Sequence, residues 1–172
     1  LNDLGQTARD RTGATVIAVT GSVGKTGVKE ALAALLAAQA KTGHSAGSFN
    51  NHIGVPLSLA RLAPDAGFWV LELGMNHAGE LTPLTQLARP DVAIVTNVEK
   101  VHTAYFASVE DIAEAKAEIF AGLKPGGAAI LNRDNPHFEL LAKRALEAGA
   151  GSVVAFGQNA NADFRLEKFD LG

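Results

Sequence analysis

A glycine-rich turn set between a β-rich run and an Ala/Leu-rich helical pattern constrains this chain most. The run Thr15-Val-Ile-Ala-Val-Thr20 leads into Thr20-Gly-Ser-Val-Gly-Lys-Thr26, and a helical pattern continues from about Thr26 to Gln39. Glycines let the backbone turn tightly and aim N–H groups at an anion, and the helix N-terminus adds partial positive charge. In such a loop Lys25 reaches outer phosphates and the Thr26 hydroxyl binds a phosphate-bridged Mg²⁺. Thr20, Gly21, Ser22, Val23, Gly24, Lys25 and Thr26 are therefore the candidate nucleotide cradle. Val19 stands where the full GxxxxGK[ST] pattern has its first glycine, so the loop is the shorter GxxGK[ST] form. A glycine turn with an incidental lysine is the plain alternative, and the strand–loop–helix setting argues against it. GxGxxG is absent at this loop, which disfavours a dinucleotide fold.

The rest of the chain repeats the same alternation. Further β-rich runs lie at 68–73, 91–96, 128–131 and 152–156, with helical patterns at about 79–88, 109–123 and 135–148. Runs alternating with helices predict an α/β fold, a mostly parallel sheet flanked by helices in the manner of P-loop NTPases. We divide the chain into a lead-in segment (1–14), an ATP-binding domain (15–160) and the start of a further strand or subdomain (161–172), expected to be cut off near Gly172. The formal net charge of −3 gives no electrostatic reason to expect nucleic acid or an anionic membrane surface. No segment is long and apolar enough to span a bilayer, and the absence of cysteine excludes disulfides and thiol catalysis. A cytoplasmic location is the expectation.

Two charged residues stand in apolar company. Glu72 interrupts the run Phe68-Trp-Val-Leu-Glu-Leu73. A central parallel strand is buried on both faces, so an ionised side chain there needs a partner, and Mg²⁺ is a natural one. A glutamate exposed at the strand end is the alternative. On the helical pattern 109–123, Ile112, Ala113, Lys116, Ile119, Phe120 and Leu123 share one face. Lys116 in that stripe is disfavoured in its charged form, and a partly neutral amine can react with CO₂ to give a metal-binding carbamate. A snorkelling lysine is the commoner outcome for a lone case, and the pattern leaves both open. His102 follows the 91–96 run by a short loop, a position compatible with the carboxyl rim of the strands, but loop histidines, like His44, His52 and His77, are usually solvated and the position alone does not decide. His137 reads as structural or exposed. There is no HExxH and no Cys/His pairing for structural zinc.

Five stretches in order resemble the Mur ligase family, and within it the D-alanyl-D-alanine-adding branch. They are Thr20-Gly-Ser-Val-Gly-Lys-Thr26, Asn50-Asn-His-Ile-Gly-Val-Pro56, Leu71-Glu-Leu-Gly-Met-Asn-His77 with Gly79-Glu80, Ala115-Lys-Ala-Glu-Ile-Phe120, and Leu131-Asn-Arg-Asp134. The resemblance implies that Lys25 and Thr26 bind ATP phosphates and a first Mg²⁺, with Glu72 as that ion's carboxylate. It implies that His102 and carbamylated Lys116 hold a second Mg²⁺, that Asn132 lies on the nucleotide side, and that Asn50, Asn51 and His77 lie near the acceptor. Lys25, Glu72, His102 and Lys116 are then the catalytic set. The implied reaction is ATP-dependent amide formation through an acyl phosphate, joining D-alanyl-D-alanine to a UDP-N-acetylmuramoyl tripeptide in peptidoglycan synthesis.

The chain departs from the family at Ser48, Gly27, Thr103-Ala104 and Ala107, which touches acceptor contacts and loop geometry more than the ATP site. Family members also carry an amino-terminal domain for the uridine nucleotide and a carboxyl-terminal domain for the incoming amine. We therefore expect this chain to bind ATP without turning over alone. A folylpolyglutamate synthase-like ligase and a P-loop nucleotide switch without ligase activity are the competing readings.

Overall fold

The computed structural model describes residues 1–100 and 105–168. Seven strands form one sheet: β1 (Thr15–Thr20), β2 (Thr42–His44), β3 (Phe68–Glu72), β4 (Val92–Val95), β5 (Ala128–Asn132), β6 (Ser152–Gly157) and β7 (Phe164–Arg165). Their order is β2-β3-β1-β4-β5-β6-β7, and every neighbouring pair is parallel. Six α-helices connect or flank them: α1 (Asn2–Arg11), α2 (Lys25–Ala37), α3 (Gly54–Ala60), α4 (Leu81–Ala88), α5 (Val109–Ala117) and α6 (Phe138–Glu147). Because all strands run the same way, the turns after β1, β3, β4 and β5 open at one rim, where α/β sheets place their ligands.

The period-two alternation of the central strands sorts the core into two layers. Val16 and Ala18 of β1 and Leu71 of β3 face the larger cluster, with Val55 and Leu59 of α3, Leu84 of α4, and Ile112 and Ala113 of α5. Ile17 and Val19, with Val70 and Ile94, face the other way and are covered by Val28, Leu32, Ala33 and Leu36 of α2. Glu72 shares the parity of Val70, so its side chain lies under α2, the helix that begins at the phosphate loop. Both faces of β1 and β3 are thus covered, which makes a carboxylate at 72 a buried one.

The five strand runs and four helical patterns read from the sequence all appear, but four elements differ. The pattern over 109–123 is not one α-helix: α5 gives way to a tight 3₁₀ segment over Glu118–Gly122. There the Glu118 carboxylate accepts hydrogen bonds from the amides of Gly79 and Thr82, tying the segment to the start of α4. Strand β2 and helices α1 and α3 are additional. The lead-in segment is thus largely a helix, which packs on α3 and α4. Arg9 of α1 donates to the carbonyls of Ala88 and Arg89 at 2.7 and 2.8 Å and pairs with Asp91 at 3.5 Å, filling acceptors left open by the end of α4. At the other end, β7 adds to the edge of the same sheet.

Candidate active site

The phosphate loop has the geometry its glycines suggest. Gly21, at φ +151°, lies so close to Thr96 that an added Cβ would overlap the threonine hydroxyl. Gly24, at φ +83°, turns the chain into α2 in a left-handed conformation that side chains resist. The loop is gripped by the segment after β4. Thr96 Oγ1 donates to the Val23 carbonyl at 2.6 Å, Ser22 N–H donates to the Asn97 carbonyl, and Ser22 Oγ and Glu99 exchange bonds at 3.2 and 2.9 Å. Thr20 Oγ1 is buried without a hydrogen-bond partner.

Lys25 folds back so that Nζ donates to the carbonyl of Gly21 at 2.7 Å. Burial lowers its pKa, and the Glu72 carboxylate acts in the opposite sense. The Thr26 hydroxyl donates to Glu72 Oε2 at 2.8 Å, while Asn50 Nδ2 donates to Oε1 at 2.8 Å. Glu72 is 1% exposed, so the strand-end alternative fails. A hydroxyl and a buried carboxylate meeting beside a phosphate loop match the oxygen-donor chemistry of Mg²⁺. No cluster of three or more His, Asp or Glu side chains gathers among the described residues. A cation here would therefore lean on Thr26, Glu72 and the phosphates themselves.

Lys116 is 2% exposed, which sets aside the snorkelling alternative. Burial, assisted by the charge of Lys25, lowers its pKa to about 7. Among the described residues no hydrogen bond or ion pair reaches its Nζ. His102 lies outside the described residues. Asn132 is occupied locally: its Oδ1 accepts from the amide of Asp134 at 2.9 Å and its Nδ2 donates to the Thr96 carbonyl at 3.4 Å.

Asn51 Oδ1 accepts the amides of Ile53 and Gly54 at the start of α3. Asn51 lines a cavity of about 400 Å³ with His52, Asn76, Glu80, Pro83 and Leu84. Asn50 points instead at Glu72. His77 is not among the lining residues; its Nδ1 lies 3.0 Å from Glu80 and its ring tilts against Tyr105, centroids 4.3 Å apart.

Two residues of this rim escape a motif search. Lys29 and Ser45 are both fully buried, and Lys29 Nζ reaches the Ser45 carbonyl at 2.9 Å. The signal for Lys29 was present: it stands in the stripe of Val28, Leu32 and Leu36, as Lys116 stands in its own. Ser45 offers no comparable signal.

Residues 19–171 match the profile of the Mur ligase middle domain. The chain belongs to that family. This Mur ligase middle domain is 43% identical over 163 residues to UDP-N-acetylmuramoyl-tripeptide--D-alanyl-D-alanine ligase of Escherichia coli strain K12, covering 94% of the chain and 35% of the relative. The ligase of the same description from Rickettsia prowazekii is 38% identical over 158 residues, covering 92% and 35%. Among solved structures, MurF from Acinetobacter baumannii superposes with a TM-score of 0.86 at 32% identity, covering 94% of this chain and 35% of that one. MurF ligase from Thermotoga maritima in complex with ADP gives 0.80 at 31% identity, covering 92% and 37%. The chain thus spans about a third of the length of these relatives. A folylpolyglutamate synthase mutant from L. casei shares the fold at 18% identity and TM-score 0.70. Among the described residues no helix is long and apolar enough to cross a membrane.

Proposed function

We propose that this Mur ligase middle domain binds ATP as part of an ADP-forming ligase that joins D-alanyl-D-alanine to a UDP-N-acetylmuramoyl tripeptide. The observation that carries the reading is the 2.8 Å bond between Thr26 and the buried Glu72 at the start of the phosphate-loop helix. The activity of the relatives favours this substrate pair over folylpolyglutamate. The substrate carboxylate attacks the γ-phosphorus, the bond to ADP breaks, and an acyl phosphate results. The amine of D-alanyl-D-alanine then attacks the acyl carbon, phosphate leaves, and the nitrogen gives up a proton.

In this reading Lys25 exchanges its bond to the Gly21 carbonyl for phosphate oxygens, and the loop amides cradle the remainder. Thr26 and Glu72 would hold a Mg²⁺, which would supply positive charge against the triphosphate and the incoming carboxylate. Lys116, buried and half neutral near pH 7, is set up to take CO₂ as a carbamate and, with His102, to offer ligands for a second Mg²⁺. Asn51 and the adjoining cavity face the acceptor. Domains for the uridine nucleotide and the incoming amine complete the enzyme, so this chain alone binds nucleotide without turnover.

Calorimetric titration of MgATP into the chain and its Lys25→Ala variant tests the reading. Binding by the parent that weakens at least about tenfold in the variant is expected, the loss of one charge-assisted phosphate contact. Equal binding by both proteins refutes the phosphate-loop assignment.

A further inference from the structure

Lys29 lies one helical turn beyond Lys25, on the buried face of α2, and is 0% exposed. An ammonium carries three donors and no acceptor. Three acceptors surround this one: the carbonyls of Ser45 at 2.9 Å and Gly47 at 2.7 Å, and Glu30 Oε1 at 3.0 Å. Glu72 Oε2 stands 4.0 Å away, the same oxygen that accepts from Thr26. Burying an ammonium is costly unless every donor is used and an opposite charge is near, and this arrangement provides both.

What Lys29 holds is the segment after β2. The Ser45 amide donates to the Val70 carbonyl, and Ser45 Oγ accepts the amide of Glu72 itself at 3.1 Å. Five residues on, Asn50 donates through Nδ2 to Glu72 Oε1, and its carbonyl accepts the amide of Gly74. Asn51, next in the chain, lines the acceptor-side cavity. One buried ammonium therefore joins the phosphate-loop helix, the carboxylate at the end of β3 and the segment that leads to the acceptor side.

We propose that Lys29 is a positioning residue that fixes Glu72 and the Ser45–Asn50 segment as one unit, so that cation binding at Glu72 depends on it although Lys29 touches neither nucleotide nor cation. The dependence on Mg²⁺ rests on the nucleotide reading above; the fixing of Asn50 does not. Residues that hold a metal ligand in place typically matter about 10- to 100-fold in metal affinity when removed. Removal of Lys29 thus reduces the strengthening of ATP binding by Mg²⁺ by about that factor and leaves metal-free ATP binding unchanged.

The sequence contains no cysteine, so Lys29→Cys introduces a single thiol. Alkylation with bromoethylamine in denaturant, followed by refolding, restores an ammonium on a thioether stem of nearly lysine length. Two readouts are taken on the parent, the unmodified variant and the alkylated variant. One is ATP affinity with and without Mg²⁺; the other is the Asn50 side-chain amide signal in ¹⁵N spectra, assigned by its loss in Asn50→Asp. The expected result is loss of the Mg²⁺ effect and of the bound Asn50 signal in the unmodified variant, with both restored by alkylation. Retention of either readout in the unmodified variant overturns the proposal, as does a loss that alkylation does not repair. If Lys29→Cys does not refold unmodified, Lys29→Met keeps the stem and its packing while removing the ammonium that reaches the Ser45 and Gly47 carbonyls. A full Mg²⁺ effect and an unchanged Asn50 signal in that variant then overturn the proposal. If the parent binds no ATP at all, the nucleotide reading fails, and the Asn50 signal alone decides the role of Lys29.

Discussion

Replacing Lys116 by Met should stabilise the chain, by an amount that depends on pH in a direction fixed by burial. The unfolded chain keeps the Lys116 proton up to about 10.5, and the folded chain only to about 7. Between those values unfolding takes up a proton, so rising pH stabilises the folded state; below about 7 the full cost of a buried charge is present. The span corresponds to a ceiling of about 4–5 kcal/mol, and relaxation around the amine brings the expectation to about 2–4 kcal/mol. Met keeps the unbranched stem and similar volume, so packing changes little. Urea denaturation of both proteins in CO₂-free buffer from pH 6 to 10 gives the comparison, and other titrations cancel in the difference. The Met variant should be more stable by about 2–4 kcal/mol at pH 6, with the gap closing at up to about 1.4 kcal/mol per pH unit above pH 7. Added bicarbonate should then stabilise the parent and not the variant. A gap that is constant, or that widens with pH, refutes the reasoning that Lys116 is desolvated.

Gly21→Ala should abolish measurable MgATP binding in calorimetry and cost about 1–3 kcal/mol, because the new Cβ overlaps the Thr96 hydroxyl at a φ that alanine resists; normal binding would show that the loop tolerates displacement. Arg9→Ala should lower stability by about 2–4 kcal/mol in urea denaturation and expose α1 to limited proteolysis, since two carbonyls at the end of α4 lose a charged donor and Asp91 loses a partner; a change below about 0.5 kcal/mol would place α1 outside the folding unit.

Much of this site was legible because burial leaves a pattern in sequence. The alternation of Val16, Ile17, Ala18 and Val19 between two apolar layers makes β1 a long apolar run, and the same two-sided burial makes Glu72 conspicuous within β3. Lys116 stood out for the helical equivalent of that reason. What escaped notice is set by tertiary contact. Strand β2 has three residues, and its Gly43 is where the Trp69 ring packs, so no apolar run marks it. Helix α1 is polar and owes its place to Arg9, a residue type that composition assigns to solvent. The bond from the Asn50 amide to Glu72 joins positions 22 residues apart and leaves no local pattern. Lys29 carries the same signal as Lys116, a lysine in an apolar helical stripe, but the glycine-rich motif ends at Lys25 and Thr26 and assigns Lys29 no role.

The charges of this rim also bear on the proposed carbamate at Lys116. Lys25, Lys29 and Lys116 lie toward one end of the sheet, and Glu72 is the buried carboxylate among them. Three amines around one buried carboxylate suit a triphosphate, but each one that is protonated opposes the arrival of divalent metal ions, because like charges in a low-dielectric site repel strongly. Lys29 is offset by Glu30 and by main-chain carbonyls. Lys25 donates to the Gly21 carbonyl, a bond it would exchange for phosphate in the proposed reading. Lys116 is the amine left without a partner among the described residues, and the nearby charge of Lys25 already disfavours its protonation. In the proposed reading, addition of CO₂ with loss of a proton would turn that position from an unfavourable cation into an anion with two oxygen donors. The change costs the fold little, because the proton it displaces was already weakly held. In the proposed reading, a site that begins too positive for a second Mg²⁺ would become one that can hold it, through a single reaction at a buried amine whose charged form is already disfavoured.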